Sequence, residues 1–410
     1  MIAEFDARLR SFAEVIVRVG LNLQPGQRLL LTEPYELQGV ARSAEVIVEA
    51  VRAAALEAGC PRPEAIEVIW GDGPRLREFA VKRDWRGLAK LVEANAATMD
   101  DYVRQGDALL FLQGSQPRLM EGVAAGSIAE LQRIAWESFG PLAQQLMQGA
   151  TNWTVAPAPS PGWAQAAYAD RPAGGQLAAL WETVFAALRV TEASPLEAWR
   201  THLATLGLRR DELNARGLKS LRYQGSGTDL TVTLPDGHIW CTAQLKTRTG
   251  HAFVANLPTE EIFTVPHRDS AAGLVRVARP VSYGGSVIDG IELEFKRGAV
   301  VRAQARLGQD LLQRLLETDE GARRLGEVAQ IGAQPEWATV SGPTPAADRD
   351  IVSRLFYHPL LDENASNHIA LGEGYGFCLS SPNDSALNRS LIHVDLSIDA
   401  RTSLSGGEPA

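Results

Sequence analysis

The stretch from Asn367 to Ile398 reads NHIALGEGYGFCLSSPNDSALNRSLIHVDLSI. It gathers His368, Tyr375, His393 and Asp395, and two of the chain's seven histidines fall there. His393 and Asp395 lie two apart in an apolar run, LIHVDL. Residues i and i+2 of a strand share a face, so imidazole and carboxylate project together while Ile392, Val394 and Leu396 face a core. An ionisable pair on a buried strand is costly unless something compensates it, and a metal ion would. The competing reading is a surface face or a plain His–Asp hydrogen bond. Tyr375 follows His368 by seven residues, a spacing that shares one face of a helix. Gly372, Gly374 and Gly376 argue against a regular helix and for a glycine-rich loop folded around an ion. The bland alternative is a flexible loop with incidental His and Tyr.

Two other stretches carry acids. NLPTEEIFTVPHRD (Asn256 to Asp269) contains Glu260 and Glu261. In a strand these point to opposite faces, so only one joins a given site unless the strand kinks after Pro258. RRLGEVAQIG places Glu327 between an arginine pair and an apolar run. In isolation, solvated charges explain both stretches better than ligation. Together the pieces supply three carboxylates, two imidazoles and a phenol. Such donors without thiolate suit Zn, Co or Mn. They suffice for two divalent ions with one carboxylate bridging, and two ions about 3.5–4 Å apart can hold a hydroxide and polarise a carbonyl.

The elements that must position these groups follow from periodicity. Phe5–Val19 has a helical stripe, Arg28–Thr32 reads as a buried strand and Val40–Gly59 as a helix. Ala65–Trp70, Asp107–Leu112 and Asn152–Pro157 read as further strands, separated by helices over Pro74–Lys82, Trp85–Asn95 and Glu121–Gln148. Strands alternating with long helices imply parallel pairing. Ala156–Gly175 is rich in Pro, Ala and Gly and reads as a loop; helices resume over Leu177–Val190 and Pro195–Arg216. From Lys219 onward short strands and Gly turns dominate, with one helix at Gln309–Thr318. The expected architecture is an α/β N-terminal domain with a mostly parallel sheet (1–200) and a β-rich α+β metal-binding domain (201–410).

The 410 residues exceed what one core usually serves. Net charge is −9 with no basic patch, which disfavours nucleic acid. Three scattered cysteines, Cys60, Cys241 and Cys378, make neither a disulfide framework nor a thiolate zinc site. The N-terminal stretch does not read as a signal peptide and no run is apolar enough to span a membrane, so the expectation is cytoplasmic.

The ordered set VGLNLQPGQRLLL, GTDLTVTLP, NLPTEEIFTVPHR, GIELEFKRGAVV, RRLGEVA, HIALGEGY and SLIHVDL resembles the thermophilic-type metallo-aminopeptidase family over most of the chain. The resemblance implies six metal ligands: Glu261, Glu327, His368, Tyr375, His393 and Asp395. It implies removal of N-terminal residues from peptides with a free N-terminus, two divalent ions, no organic cofactor, and a homodimer. On that basis Glu327 bridges the ions and Tyr375 is a ligand or an oxyanion donor. Glu260 and Glu373 are candidates for the general base, and His267 and Arg268 for the cleft wall. Departures from the family lie around the motifs: Asn367 where a small or sulfur residue is usual, an unlike segment between Glu327 and His368, and a divergent tail after Asp395. None removes a ligand.

Rival readings are a non-catalytic metal-binding or oligomeric member of the same fold, and a nucleotide-dependent α/β enzyme. GxGxxG and GxxxxGK[ST] phosphate loops are absent, and Gly126-Ser127 and Gly284-Gly285 lack the required strand–helix setting. No G-x-S-x-G elbow supports a serine peptidase.

Overall fold

The computed structural model describes residues 2–34, 38–114, 116–225, 227–332, 335–338, 354–381, 385–398 and 403–404. Part of the segment expected to depart from the family between Glu327 and His368, and most of the tail, lie outside these residues.

In the first half, α1 (Ile2–Val15) leads to β1 (Leu29–Thr32) and α2 (Glu45–Glu57) to β2 (Ile66–Val68). α3 (Gly73–Lys82) and α4 (Trp85–Gln105) lead to β3 (Ala108–Gln113), and α5 (Ala125–Met147) to β4 (Trp153–Pro157). The four strands pair in the order β2-β1-β3-β4, all in parallel, because each connection carries at least one helix. β1, β3 and β4 are buried along their whole length, as a sheet covered on both faces requires.

The expected loop over Ala156–Gly175 contains a short helix, α6 (Pro161–Ala167). Ser160 caps it, its Oγ accepting from Trp163 N at 3.2 Å, and Pro161 occupies the first turn. A cap followed by proline is a helix start, which the surrounding Pro and Gly mask in the sequence. α7 (Ala173–Ala187) and α8 (Pro195–Arg216) follow, and α8 runs unbroken through the expected division at residue 200.

The second half is strand-rich. It comprises β5 (Ser220–Gly225), β6 (Thr228–Thr233), β7 (Gln244–Lys246), β8 (Ala252–Val254), β9 (Glu261–Thr264), β10 (Ala272–Arg276), β11 (Val281–Tyr283), β12 (Ser286–Ile288), β13 (Glu292–Lys296) and β14 (Ala299–Gln304). There follow α9 (Gln309–Leu316), β15 (Leu325–Ile331), α10 (Pro359–Glu363), β16 (His368–Gly372), β17 (His393–Ser397) and β18 (Ser403–Leu404). One sheet has six strands, β14-β13-β10-β6-β5-β18, and a second has four, β17-β16-β15-β9. The pairs in both are antiparallel.

The two halves share hydrophobic core. Leu76, Phe79, Leu88, Ile128 and Leu131 of the first-half helices join one cluster with Leu230, Val232, Ile262, Val328, Ile369 and Val394 of the second-half sheets. The back of the four-stranded sheet is thus anchored on apolar residues, and its front is left for chemistry. No described helix is long and apolar enough to cross a membrane.

Candidate metal centre

The four-stranded sheet sorts its side chains by strand parity. Val328, Ile369, Leu371, Val394 and Leu396 enter the shared core. The opposite face carries Glu261, Glu327, His368, His393 and Asp395. Register places Ala370 directly between Glu327 and Asp395, and Ala329 between Phe263 and His368. The donors therefore stand in neighbouring rows with only methyl groups separating them.

Leu325 and Glu327 would share a face in a regular strand, yet Leu325 is in the core. A bulge between them shifts the register by one residue. Such an insertion reverses the alternation locally, so the leucine goes inward and the glutamate forward.

The donor atoms converge in two groups, Glu261–Glu327–His368 and Glu327–His393–Asp395, and Glu327 belongs to both. His368 Nε2 lies 3.0 Å from Glu261 Oε2 and 3.4 Å from Glu327 Oε1. His393 Nε2 lies 3.7 Å from Glu327 Oε2 and 3.5 Å from Asp395 Oδ1. Ligands about 2.1 Å from a tetrahedral ion stand about 3.4 Å apart, so these separations fit a shared cation. The buried Glu261 Oε2 has no hydrogen-bond partner and faces His368 Nε2 only as an ion pair. A buried carboxylate oxygen with no hydrogen bond beside acids and imidazoles fits a site where a metal would complete the coordination.

Both imidazoles are aimed by backbone. His393 Nδ1 donates to the Glu373 carbonyl at 2.8 Å and His368 Nδ1 to the Ser366 carbonyl at 3.2 Å. Each Nε2 is thereby left facing the acids, the usual arrangement of a metal-binding histidine. Gly326 makes the first of these bonds possible: a Cβ there would sit 2.2 Å from the Glu373 carbonyl oxygen. Gly326→Ala is expected to displace that carbonyl, costing about 2 kcal/mol or more and lowering metal affinity at least about tenfold through His393. Melting temperature and metal titration check it; unchanged affinity in a folded variant would refute the link.

Tyr375 lies in the loop after β16 and stacks on His393 with ring centroids 4.8 Å apart. Burial and the charges of Glu327, Asp395, Glu363 and Glu261 push its phenol well above the usual value. In the apoprotein the imidazoles serve as counter-charges. Burial opposes the proton on His393, but Asp395 and Glu327 outweigh it and raise the pKa to about 9. His368 is raised in the same way by Glu261 and Glu327, again against burial. Burial raises Glu327 to about 7 despite His368. Burial would raise Asp395, but His393 holds it at about 2.

The remaining expected residues are placed elsewhere or bound. Glu260 does not join the donors: Arg189 grips its carboxylate at 2.8 and 3.0 Å, and its backbone N–H donates to Asn364 Oδ1 at 2.6 Å. It leaves the site for the reason its neighbour enters it, since adjacent strand residues face opposite ways. Glu260→Ala is expected to cost about 3 kcal/mol by stranding the largely buried Arg189, with metal content unchanged. Loss of the metal in the folded variant would overturn that placement. The Glu373 carboxylate lines the cavity beside the site but is held by Arg389 and by Ser390 N. Arg268 pairs with Glu320 at 3.1 Å, and neither it nor His267 lines that cavity. Asn367, the departure beside His368, accepts from Ile331 N at 2.9 Å and ties β16 to the end of β15.

One acid escaped the sequence reading. Glu363, at the end of α10, is buried, lines the cavity and lies within hydrogen-bonding reach of Asp395. Burial, with Asp395 and Glu261 nearby, raises its pKa well above the ordinary carboxyl value. Its signal was DENAS, five residues before His368, on an element whose helical turn brings it over the sheet.

Acids and imidazoles gathered on one sheet face form two donor groups that could hold a metal ion. The family follows from residues 5–407, which match the model described as thermophilic metalloprotease (M29); the chain belongs to that family. It is 36% identical over 397 residues to aminopeptidase T of Thermus thermophilus, covering 95% of this chain and 92% of the relative. It is 33% identical to aminopeptidase AmpS of Bacillus subtilis, covering 97% and 93%. The solved structure of wild-type AmpT from Thermus thermophilus superposes with a TM-score of 0.82 at 34% identity, covering 98% of this chain and 95% of that one. Neither glycine pair forms a phosphate loop: Gly126 lies within α5, and Gly284 and Gly285 turn between β11 and β12.

Proposed function

We propose that this chain is a metal-dependent aminopeptidase that hydrolyses the N-terminal amide bond of peptides at a two-ion centre. The observation that carries the two-ion reading is the Glu327 carboxylate, whose Oε1 faces His368 and whose Oε2 faces His393. The aminopeptidase reading is supported by the names of the relatives. Glu261, Glu327 and His368 would hold one ion, and Glu327, His393 and Asp395 the other. Bound there, the ions would bring a shared water's pKa toward neutrality and polarise the scissile carbonyl. The chain's own groups do the rest. The Nδ1 bonds of both histidines fix their rings, Glu363 braces Asp395, and the Tyr375 phenol, kept protonated by its surroundings, can donate to an oxyanion or complete a ligand set. Zinc, cobalt or manganese suits this donor set. A homodimer in the cytoplasm belongs to the same proposal.

Chelation is expected to abolish cleavage of aminoacyl-arylamides, and added Zn, Co or Mn to restore it. Full activity after metal removal verified by elemental analysis would refute the mechanism. Metal bound at full occupancy without cleavage of any peptide in a dipeptide panel would favour the non-catalytic reading.

A further inference from the structure

A cavity of about 880 Å³ opens beside the donors. Glu363, Tyr375, His393 and Asp395 line one part of it. Another part of its wall carries the apolar side chains of Trp136 and Met147 from α5, Leu245 from β7, Phe253 from β8 and Leu360 from α10, with Gln144, Lys246 and Arg389 also lining the cavity. The five apolar side chains belong to one hydrophobic cluster built around β3 and β4. Trp136, Met147 and Leu245 are only half-buried, so this core continues into the cavity as exposed apolar surface. Covering such surface is favourable by about 25 cal/mol per Å².

α10 ties the apolar wall to the donors. Leu360 and Glu363 are three residues apart on a single helical turn, which puts them on one face with Cβ atoms about 5–6 Å apart. An N-terminal residue has the same layout, with its amino and carbonyl groups at one end and its side chain a few ångströms away. We propose that this wall receives the side chain of the substrate's N-terminal residue and selects large aliphatic and aromatic residues over glycine and alanine. The inference rests on the aminopeptidase reading above. These five residues carry no charge, whereas Lys246 and Arg389 line the same cavity.

The test uses the metal-loaded full chain and arylamides of Phe, Leu, Ala, Gly and Glu. Each added methylene in an apolar pocket is worth about 10–200-fold, so kcat/KM for Leu and Phe should exceed that for Ala at least about tenfold. Trp136→Ala and Met147→Ala should shrink the Phe/Ala ratio at least about tenfold. Leu245→Lys should raise acceptance of Glu relative to Leu. Calorimetric binding of free phenylalanine, leucine and glycine gives a readout independent of turnover, and should follow the same order. Melting temperatures identify any variant that fails to fold; the calorimetric order in the wild-type protein then decides. Equal kcat/KM for Ala and Leu, or variants that slow all substrates alike, would overturn the pocket and leave the aminopeptidase reading standing. A metal-loaded protein that cleaves nothing yet binds phenylalanine over glycine would keep the pocket and overturn the activity.

Discussion

Glu327→Gln should retain the fold and lose at least about a thousandfold in kcat/KM. Losing one electrostatic contact to a developing charge typically costs 10²–10³, and this carboxylate stands in both donor groups. An amide offers one neutral oxygen where the carboxylate offers two charged ones. Metal affinity should fall with activity. Stability should move the other way in the apoprotein. The folded-state pKa of Glu327 is raised to about 7 by burial, so ionising it above that pH costs the fold on the order of 3 kcal/mol. Glutamine escapes the cost. Melting curves of wild type and variant at pH 8, with and without metal, test both halves. Near-normal turnover would remove Glu327 from the bridging position. A large loss of apoprotein stability would mean that the carboxylate is structural.

Metal binding should expel protons and tighten steeply with pH. His393 titrates at about 9 and His368 well above its usual value, so both carry protons near neutrality, and an ion can bind only after displacing them. Affinity should rise at least about tenfold per pH unit between pH 7 and 9. Calorimetry in buffers of different ionisation enthalpy counts the protons. Apoprotein stability has a definite sign. Glu327 and His393 both have folded pKa values above their unfolded ones. Their contribution is therefore complete below the unfolded pKa and is lost as pH rises through about 7 and about 9. Asp395, depressed to about 2, loses its contribution only in acid. The apoprotein should melt at progressively lower temperature from pH 6 to pH 9, and the metal-loaded protein should not. Affinity independent of pH would show that the imidazoles are not ligands.

The legible and hidden parts of this site differ for physical reasons. The H-x-D pair could be read because strand alternation is local: two residues of sequence decide that His393 and Asp395 share a face and that Val394 does not. The same rule separates Glu260 from Glu261 but cannot say which one faces the metal, and the structure turns Glu260 toward Arg189. Glu327 looked like a solvated acid because the bulge at Gly326 is invisible to a periodicity count. Glu363 was missed because its place over the sheet depends on where a short helix docks. The parallel sheet of the first half was readable from its buried runs and long crossovers. α6 was not, because its cap lies in a stretch dominated by loop-forming residues. The shared core across the two halves is tertiary information that no window of sequence contains.

Ala370, between Glu327 and Asp395, gives the site a vulnerability that a census of ligands would overlook. The genetic code separates alanine from valine by one nucleotide, and valine suits a strand better than alanine does. Such a replacement would keep every donor, the fold and the family match, while two added methyl carbons filled the gap between the acids. A lineage could thus pass from enzyme to inert scaffold in a single step and leave no trace in its motifs. Among relatives that retain all the ligands, the residue between them is the one that would report whether the chemistry has been kept.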